Sequence, residues 1–403
     1  MSKTLLQINV SANWGSTGRI AEQINQIAQQ QGWNTFIAYG RSSNESKSEL
    51  IQVGSKWQVY EHYFEHLLFD NDGLASRHAT RQLVRKIRDI QPDIIHLHNI
   101  HDHWINYELL FEYLSTVSVP VIWTQHDCWS FTGGCKYYSS VNCKNWQNGC
   151  SKCPFKERAL FPIVEKTRRH FNKKRHLFTS VANLTLVPVS HWLEVEIQKS
   201  FLGGNRVHTI YNGINTDIFH PQESDIKSKY NIRNKHLLLG IASTWEPRKG
   251  LSDYVRLSEY LPDDTVILLV GLDKKHINNI PSGIIGLRRT QNVEELVKIY
   301  SAADIVLNLS HEETFGLTTV EGFACGTPSI VYNATASPEL VTLETGIVVE
   351  PGDIQGVANA VAEILGNGKE YYSEACRKRA VEFYDKDKCF KKYFELYERL
   401  INV

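Results

Sequence analysis

Residues His311–Pro328, HEETFGLTTVEGFACGTP, constrain this chain more than any other stretch. The apolar run Ile305–Leu309 precedes them and Ser329–Tyr332 follows, so the pattern predicts strand, loop, helix, strand. Glu313 falls in the loop. Gly316 and Leu317 open the helix, Glu321 lies just over a turn further in, and Gly326-Thr327-Pro328 ends it. A ligand at the carboxyl end of such a strand meets backbone N–H groups at the helix start, which suit phosphate. Two glutamates in this register can grip hydroxyl-bearing groups, since a carboxylate accepts from two adjacent hydroxyls of a sugar or ribose. Spacing alone fits equally well an ordinary βα unit with two solvated glutamates.

The residue types in register go further. Glu-x7-Glu, carried as E-x-F-G-x4-E and followed by A-C-G-T-P, resembles the donor-site signature of retaining glycosyltransferases of family 4, which have the GT-B fold. The resemblance implies an α/β chain of two Rossmann-like, doubly wound domains facing across a cleft, with the second holding a nucleoside-diphosphate sugar. It implies that Glu313 holds the donor sugar's hydroxyls and Glu321 the ribose. The backbone at Phe315, Gly316, Leu317 and Thr318, with Lys249, then stabilises charge on the leaving diphosphate. The expected reaction is sugar transfer to an acceptor hydroxyl with retention, and it requires no catalytic metal.

At 403 residues the chain accommodates two domains of about 150–200 residues each. It has 44 basic and 44 acidic residues, so no global charge points to nucleic acid. Nine Trp, 18 Tyr and 16 Phe suit sugar-stacking surfaces and core alike. The N-terminal MSKTLLQINVSANWG has no signal-peptide apolar region and reads as a strand. No apolar run approaches the roughly 18–20 residues of a membrane span. A cytoplasmic protein is expected, with any contact at the inner face of the cell membrane peripheral.

Leu5–Val10 reads as a strand, and Ile20, Ile24 and Ile27 place a helix from Thr17 or Gly18 to Gly32. Gly15 and Gly18 therefore occupy the first strand-to-helix turn, which in the resembled family faces the donor diphosphate. Asn34–Tyr39 is the second strand, and helical spacing follows at Trp57–Phe69 and Arg77–Ile90. Asp93–Leu97 runs into His96, His98, His101 and His103. Four histidines so close invite a metal site, but a polar, acceptor-facing cluster at a strand end fits the spacing better. Val119–Thr124 leads to His126, which matches a family histidine near the donor sugar. The other reading is a structural histidine held by Asp127.

The insertion 128–154 carries Cys128-x6-Cys135-x7-Cys143-x6-Cys150-x2-Cys153. Cys135, Cys143, Cys150 and Cys153 read as a four-thiolate structural site for zinc, or for an iron–sulfur cluster with the same ligands. Unpaired thiols in a reducing compartment are the alternative. His-Asp-Cys-Trp with this loop resembles a bacterial subgroup associated with polysaccharide assembly: exopolysaccharide, capsule or O-antigen on a lipid carrier. Residues 156–178 are rich in Lys and Arg, with Ile163, Val164, Thr167, Phe171 and Phe178 as an apolar stripe. Such a helix can meet an anionic membrane or a polyprenyl-linked acceptor, or simply pack on the domain.

Ser190 reads as an N-cap. Asn212-Gly213 starts a hinge region, with Asn215 where the family has Asp. This divides the chain into 1–205 on the acceptor side, 206–386 on the donor side, and a terminal helix 387–403. The resemblance implies that this helix crosses back onto the first domain, and Phe390, Tyr393, Phe394 and Tyr397 make it apolar enough to do so. In STWEPRKG, Lys249 matches the family's diphosphate lysine, but Thr244 stands where an arginine is usual, and Arg248 is the substitute. Arg288–Asn292 borders the nucleobase in the resembled family. An epimerase or phosphorylase on the same fold is disfavoured by the Glu-x7-Glu wording and the lack of a pyridoxal-lysine motif. Thr244 supports a second alternative, a non-catalytic metal- and membrane-binding assembly protein with a degenerate fold.

Overall fold

Short runs of Leu, Ile and Val bounded by polar turns become strands buried on both faces, as a parallel sheet covered by helices requires. The computed structural model describes residues 2–154 and 162–402. It divides into two units, Met1–Tyr211 with Phe390–Val403, and Asn212–Cys389.

In the first unit the strands are β1 (Thr4–Ala12), β2 (Asn34–Ser43), β3 (Glu49–Gln52), β4 (Ile94–Leu97), β5 (Val121–Gln125), β6 (Leu184–Pro188) and β7 (Arg206–Val207). Their order is β3-β2-β1-β4-β5-β6-β7, all parallel. The direction of winding reverses between β1 and β4, and ligands of open parallel sheets bind beyond the carboxyl ends of strands at such a point. Every residue of β4, β5 and β6 is buried. The helix Gly15–Gln30 turns Ile20, Ala21, Ile24 and Ala28 inward. Asn106 and Ser190 cap the helices Tyr107–Leu114 and His191–Gln198 through their side-chain oxygens.

The terminal helix Lys386–Ile401 returns to this first unit, as the family resemblance implies. Tyr393 and Tyr397 are fully buried. Tyr397 OH lies 2.6 Å from His96 Nδ1, Tyr393 OH lies 3.1 Å from Thr124 Oγ1, and Phe394 meets Trp33 edge-on at 5.2 Å.

The second unit holds β8 (His236–Ile241), β9 (Thr265–Val270), β10 (Ile284–Leu287), β11 (Ile305–Asn308), β12 (Ser329–Tyr332) and β13 (Gly346–Val349). Their order is β10-β9-β8-β11-β12-β13, again all parallel. Here the winding reverses between β8 and β11, which puts the loops after those two strands side by side. At its start, Asn215 Oδ1 accepts from the backbone N–H groups of Asp217 (3.0 Å) and Ile218 (3.4 Å), a local turn that needs only an acceptor oxygen. Both units are therefore doubly wound, with their reversal points generating two candidate ligand sites.

Candidate functional site

The loop after β8 closes with a single 3-10 turn, Pro247–Lys249, and a left-handed Gly250. A β-carbon on Gly250 would sit 2.1 Å from the Leu309 carbonyl oxygen, so only glycine lets this turn lie against the end of β11. The His311 N–H donates to the Arg248 carbonyl at 2.8 Å and locks the two loops together. The sheet order thereby brings Lys249 onto Glu313, residues far apart in sequence.

Lys249 Nζ donates to Glu313 Oε1, and Ser310 Oγ donates to the same oxygen at 3.1 Å. Arg248 lies 4.0 Å from Glu313 Oε2 and donates to the Glu312 carbonyl (3.1 Å) and to Glu246 Oε2 (2.9 Å). Burial by itself would raise the Glu313 carboxyl. The Lys249 and Arg248 charges and the hydrogen bonds outweigh it and hold the group below the usual carboxylate range. Thr335 clamps the Glu313 backbone twice, accepting from its N–H (2.8 Å) and donating to its carbonyl (2.6 Å).

Phe315 and Gly316 lead into the helix Leu317–Ala324, with Gly316 as its left-handed N-cap and Thr318 in its first turn. Gly316 has no side chain with which to cap that end. Glu321 sits inside the helix and accepts from Tyr300 OH at 2.7 Å. Behind the loops, Asp253 Oδ2 bonds His311 Nε2 (2.8 Å) and accepts from Tyr332 OH (2.9 Å). Ser310, Thr335, Tyr300 and the Asp253–His311–Tyr332 group carry no sequence motif, and only the packing of the loops singles them out.

In the first unit, Gly15 opens the helix after β1, and Gly18 lies so close to β1 that a β-carbon would meet Ser11 Oγ at 2.8 Å. Beyond β4 and β5, His98 Nδ1 and His126 Nε2 are 3.0 Å apart with their rings stacked at 5.3 Å. Desolvation pushes the half-buried His126 imidazole down to about 4, Asp127 opposing and the charge on His101 adding to it. Burial also holds His96 and His98 well below the usual range, so this is a neutral pair sharing one proton between facing nitrogens. Asp127 is taken by His101 Nε2 at 2.9 Å rather than by His126. Burial alone would lower His101, but Asp127 and Asp102 raise it to about 9, with Lys136 opposing. His103 turns away, toward Asp72 at 3.8 Å. The four histidines thus separate into three environments.

Among the described residues, no group of three or more His, Cys, Asp or Glu side chains is arranged to hold a metal ion. None of the eight cysteines is in a disulfide. Cys150 Sγ accepts from Gly133 N–H at 3.1 Å. Burial and nearby Cys135 and Cys143 push its thiol up to about 12. Cys153 is half-buried. Of the basic stretch 156–178, residues 156–161 lie outside the described residues. Residues 162–166 are irregular, and the helix Thr167–Phe178 that follows buries Thr167, Phe171 and Phe178 in the domain. Those three are core rather than an outward stripe, and only Ile163 and Val164 of the expected apolar set are exposed.

Two family models account for most of the chain. The model described as Glycosyltransferase Family 4 matches residues 19–218, and the one described as Glycosyl transferases group 1 matches residues 235–367. This chain belongs to the family 4 glycosyltransferases. Among curated relatives, it is 28% identical over 52% of its length to WcaC of Escherichia coli (strain K12), which carries the provisional name colanic acid biosynthesis glycosyl transferase. It is 26% identical, again over 52% of its length, to N-acetyl-alpha-D-glucosaminyl L-malate synthase of Bacillus anthracis. These matches span 54% and 58% of the two relatives, so the chain aligns with about half of each. Sucrose-phosphate synthase from Thermosynechococcus elongatus shares the fold with a TM-score of 0.73 at 16% identity, covering 99% of both chains. WaaG, a glycosyltransferase involved in lipopolysaccharide biosynthesis, does so with a TM-score of 0.69 at 15% identity, over 98% of this chain and 99% of WaaG.

Proposed function

We propose that this family 4 glycosyltransferase moves a sugar from a nucleoside-diphosphate sugar to an acceptor hydroxyl, with retention at the anomeric carbon. The observation that carries the reading is the meeting of Lys249, Arg248 and Glu313 at the reversal point of the second sheet, beside the start of the helix Leu317–Ala324.

In this reading Glu313 accepts the donor sugar's hydroxyls, and its ion pair fixes the carboxylate's charge and direction before the donor arrives. Lys249 and Arg248 neutralise the diphosphate as the glycosidic bond breaks. The backbone N–H groups of Phe315, Gly316, Leu317 and Thr318 do the same from the helix end, where the dipole favours negative charge. Arg248 supplies the second cation that Thr244 cannot. Glu321, oriented by Tyr300, accepts the ribose hydroxyls. In the first unit Gly15 and Gly18 open an anion-favouring helix start, and the neutral His126 helps position the acceptor. No divalent metal takes part in the chemistry.

The acceptor is a glycan, or a glycan on a polyprenyl carrier, at the cytoplasmic face of the membrane. Support comes from the naming of WcaC for colanic acid biosynthesis and from the cysteine-loop resemblance. Zinc bound by Cys135, Cys143, Cys150 and Cys153 would be structural; metal analysis of the purified protein tests this, and absence of stoichiometric metal overturns it.

A donor screen tests the central reading. One nucleoside-diphosphate sugar should raise the melting temperature, release nucleoside diphosphate when acceptor is added, and lose its stabilising effect in Glu321→Ala. A folded protein that no donor stabilises would favour the non-catalytic reading instead.

A further inference from the structure

The helix Lys56–Phe69 is amphipathic in the reverse sense. Its inward face is polar: His62 is fully buried and His66 nearly so. His62 Nδ1 lies 2.9 Å from Ser76 Oγ, and its Nε2 accepts from the Gly73 N–H at 3.0 Å. The outward face is aromatic and aliphatic. Trp57 is 82% exposed, Tyr60 and Phe64 59% each, Phe69 52% and Leu68 46%. Residues 57, 60, 64 and 68 recur at helical spacing and form one stripe. The histidine bonds fix the rotation of the helix, because turning the stripe inward would break them. A capping box at Ser55 and Gln58 secures its start.

The stripe continues onto a second segment. The Ile163 N–H donates to the Leu67 carbonyl at 2.9 Å, and the Lys166 N–H donates to Asp70 Oδ2 at 2.6 Å. Ile163 is 79% and Val164 47% exposed, which extends the patch past the end of the helix. A contiguous apolar surface of this kind is uncommon on a monomer and marks a contact. Cations border it. Lys56 is exposed at one end, and Arg168 and Arg169 are exposed in the first turn of the helix Thr167–Phe178, within two or three residues of the Lys166 anchor. That helix contains no acidic residue. Glu61 and Glu165 are the exposed acids at the margin.

We infer that this face docks on a bilayer surface containing anionic phospholipid. Tryptophan, tyrosine and phenylalanine over a basic rim match the boundary between headgroups and acyl chains, where an aromatic ring finds both an apolar and a wet side. Flanking arginines add attraction to anionic headgroups. Among the described residues no helix is long and apolar enough to cross a membrane, so the contact lies on the surface. The inference does not depend on the donor-site reading, because none of these residues belongs to it.

Vesicle flotation of the full chain tests it, using phosphatidylcholine with and without phosphatidylglycerol. The protein should float with the phosphatidylglycerol vesicles and be released by high salt. The doubly substituted Trp57→Ser, Phe64→Ser protein should bind about tenfold or more weakly, with an unchanged thermal melt because both side chains are exposed. Arg168→Glu with Arg169→Glu should lose the preference for phosphatidylglycerol. Failure of the wild type to float with either vesicle overturns the inference, as does equal flotation of the aromatic double variant. A wild-type dimer that the double variant converts to monomer, without vesicle binding, would assign the patch to a second copy of the chain instead.

Discussion

Glu313 faces two cations, so changing it alters the charge balance of the loop. Glu313→Gln keeps the shape and removes the charge, and the donor-site reading predicts a fall in transfer of about 100-fold or more. Measuring nucleoside-diphosphate release beside a thermal melt separates the chemistry from folding. A variant of full activity would make the Lys249–Glu313 pair a structural clasp. The carboxyl is held below its ordinary range, so its ion pair stabilises the fold above the unfolded carboxylate range and that contribution is lost as pH falls through the folded value. At the other end of the chain, Tyr397→Phe removes the partner of His96 Nδ1 and leaves a buried ring nitrogen unsatisfied. The expected cost is about 1–3 kcal/mol, read by urea titration of the whole chain.

At the level of elements, the two strand-to-helix turns differ in how they use glycine. Gly15 has a φ of +67° with nothing within 4 Å of an added β-carbon, so Gly15→Ala meets only the left-handed backbone cost, about 1 kcal/mol. Gly250 has a φ of +70° and the Leu309 carbonyl at 2.1 Å, so Gly250→Ala must also push the loops after β8 and β11 apart. It should be the more destabilising by about 2 kcal/mol or more, and should weaken donor binding by displacing Lys249 from Glu313. Comparing the two variants by thermal melt and donor-induced shift checks this. Helix Lys56–Phe69 shows the opposite limit of element-level reading. Its spacing was legible as a helix, but the burial of its histidines and the exposure of its aromatics reverse the rule that apolar faces turn inward.

Across the whole molecule, buried histidines are unevenly shared. Among the described residues, His62, His66, His96, His98, His101 and His170 are buried, and all lie in the first unit. Burial lowers His62 to about 4, desolvation lowers the half-buried His126 to about 4 as well, and burial holds His96 and His98 well below the usual 6.5. A depressed histidine favours the folded state above its unfolded value, and that advantage is lost as pH falls through the folded one. The first unit should therefore lose stability between pH 6.5 and about 4, by about 1.4 kcal/mol per pH unit for each such group. His101 runs the other way: raised to about 9, it stabilises below 6.5 and that contribution fades as pH rises through 9. Hydrogen exchange at pH 5 and pH 7 should show protection lost in the first unit before the second. Equal loss in both would count against the histidines as the cause.

Local features were legible from the order of residues. Apolar runs with glycine and proline punctuation gave parallel strands and helices, because strand and helix periods and turn preferences are properties of neighbouring residues. The register E-x-F-G-x4-E placed Glu313 in a loop and Glu321 inside the helix that follows. The aromatic spacing of the last helix marked it as apolar on one face, and the family resemblance implied its return to the first unit. Other features emerge from long-range packing. Lys249 meets Glu313 across 64 residues, His96 meets Tyr397 across 301, and Asp253 gathers His311 across 58. The same holds for Asp127 choosing His101 over His126, and for Phe171 and Phe178 going to the core. Such pairings depend on which strands lie side by side and which helix face the sheet can cover, and strand order is written in no local pattern of residues.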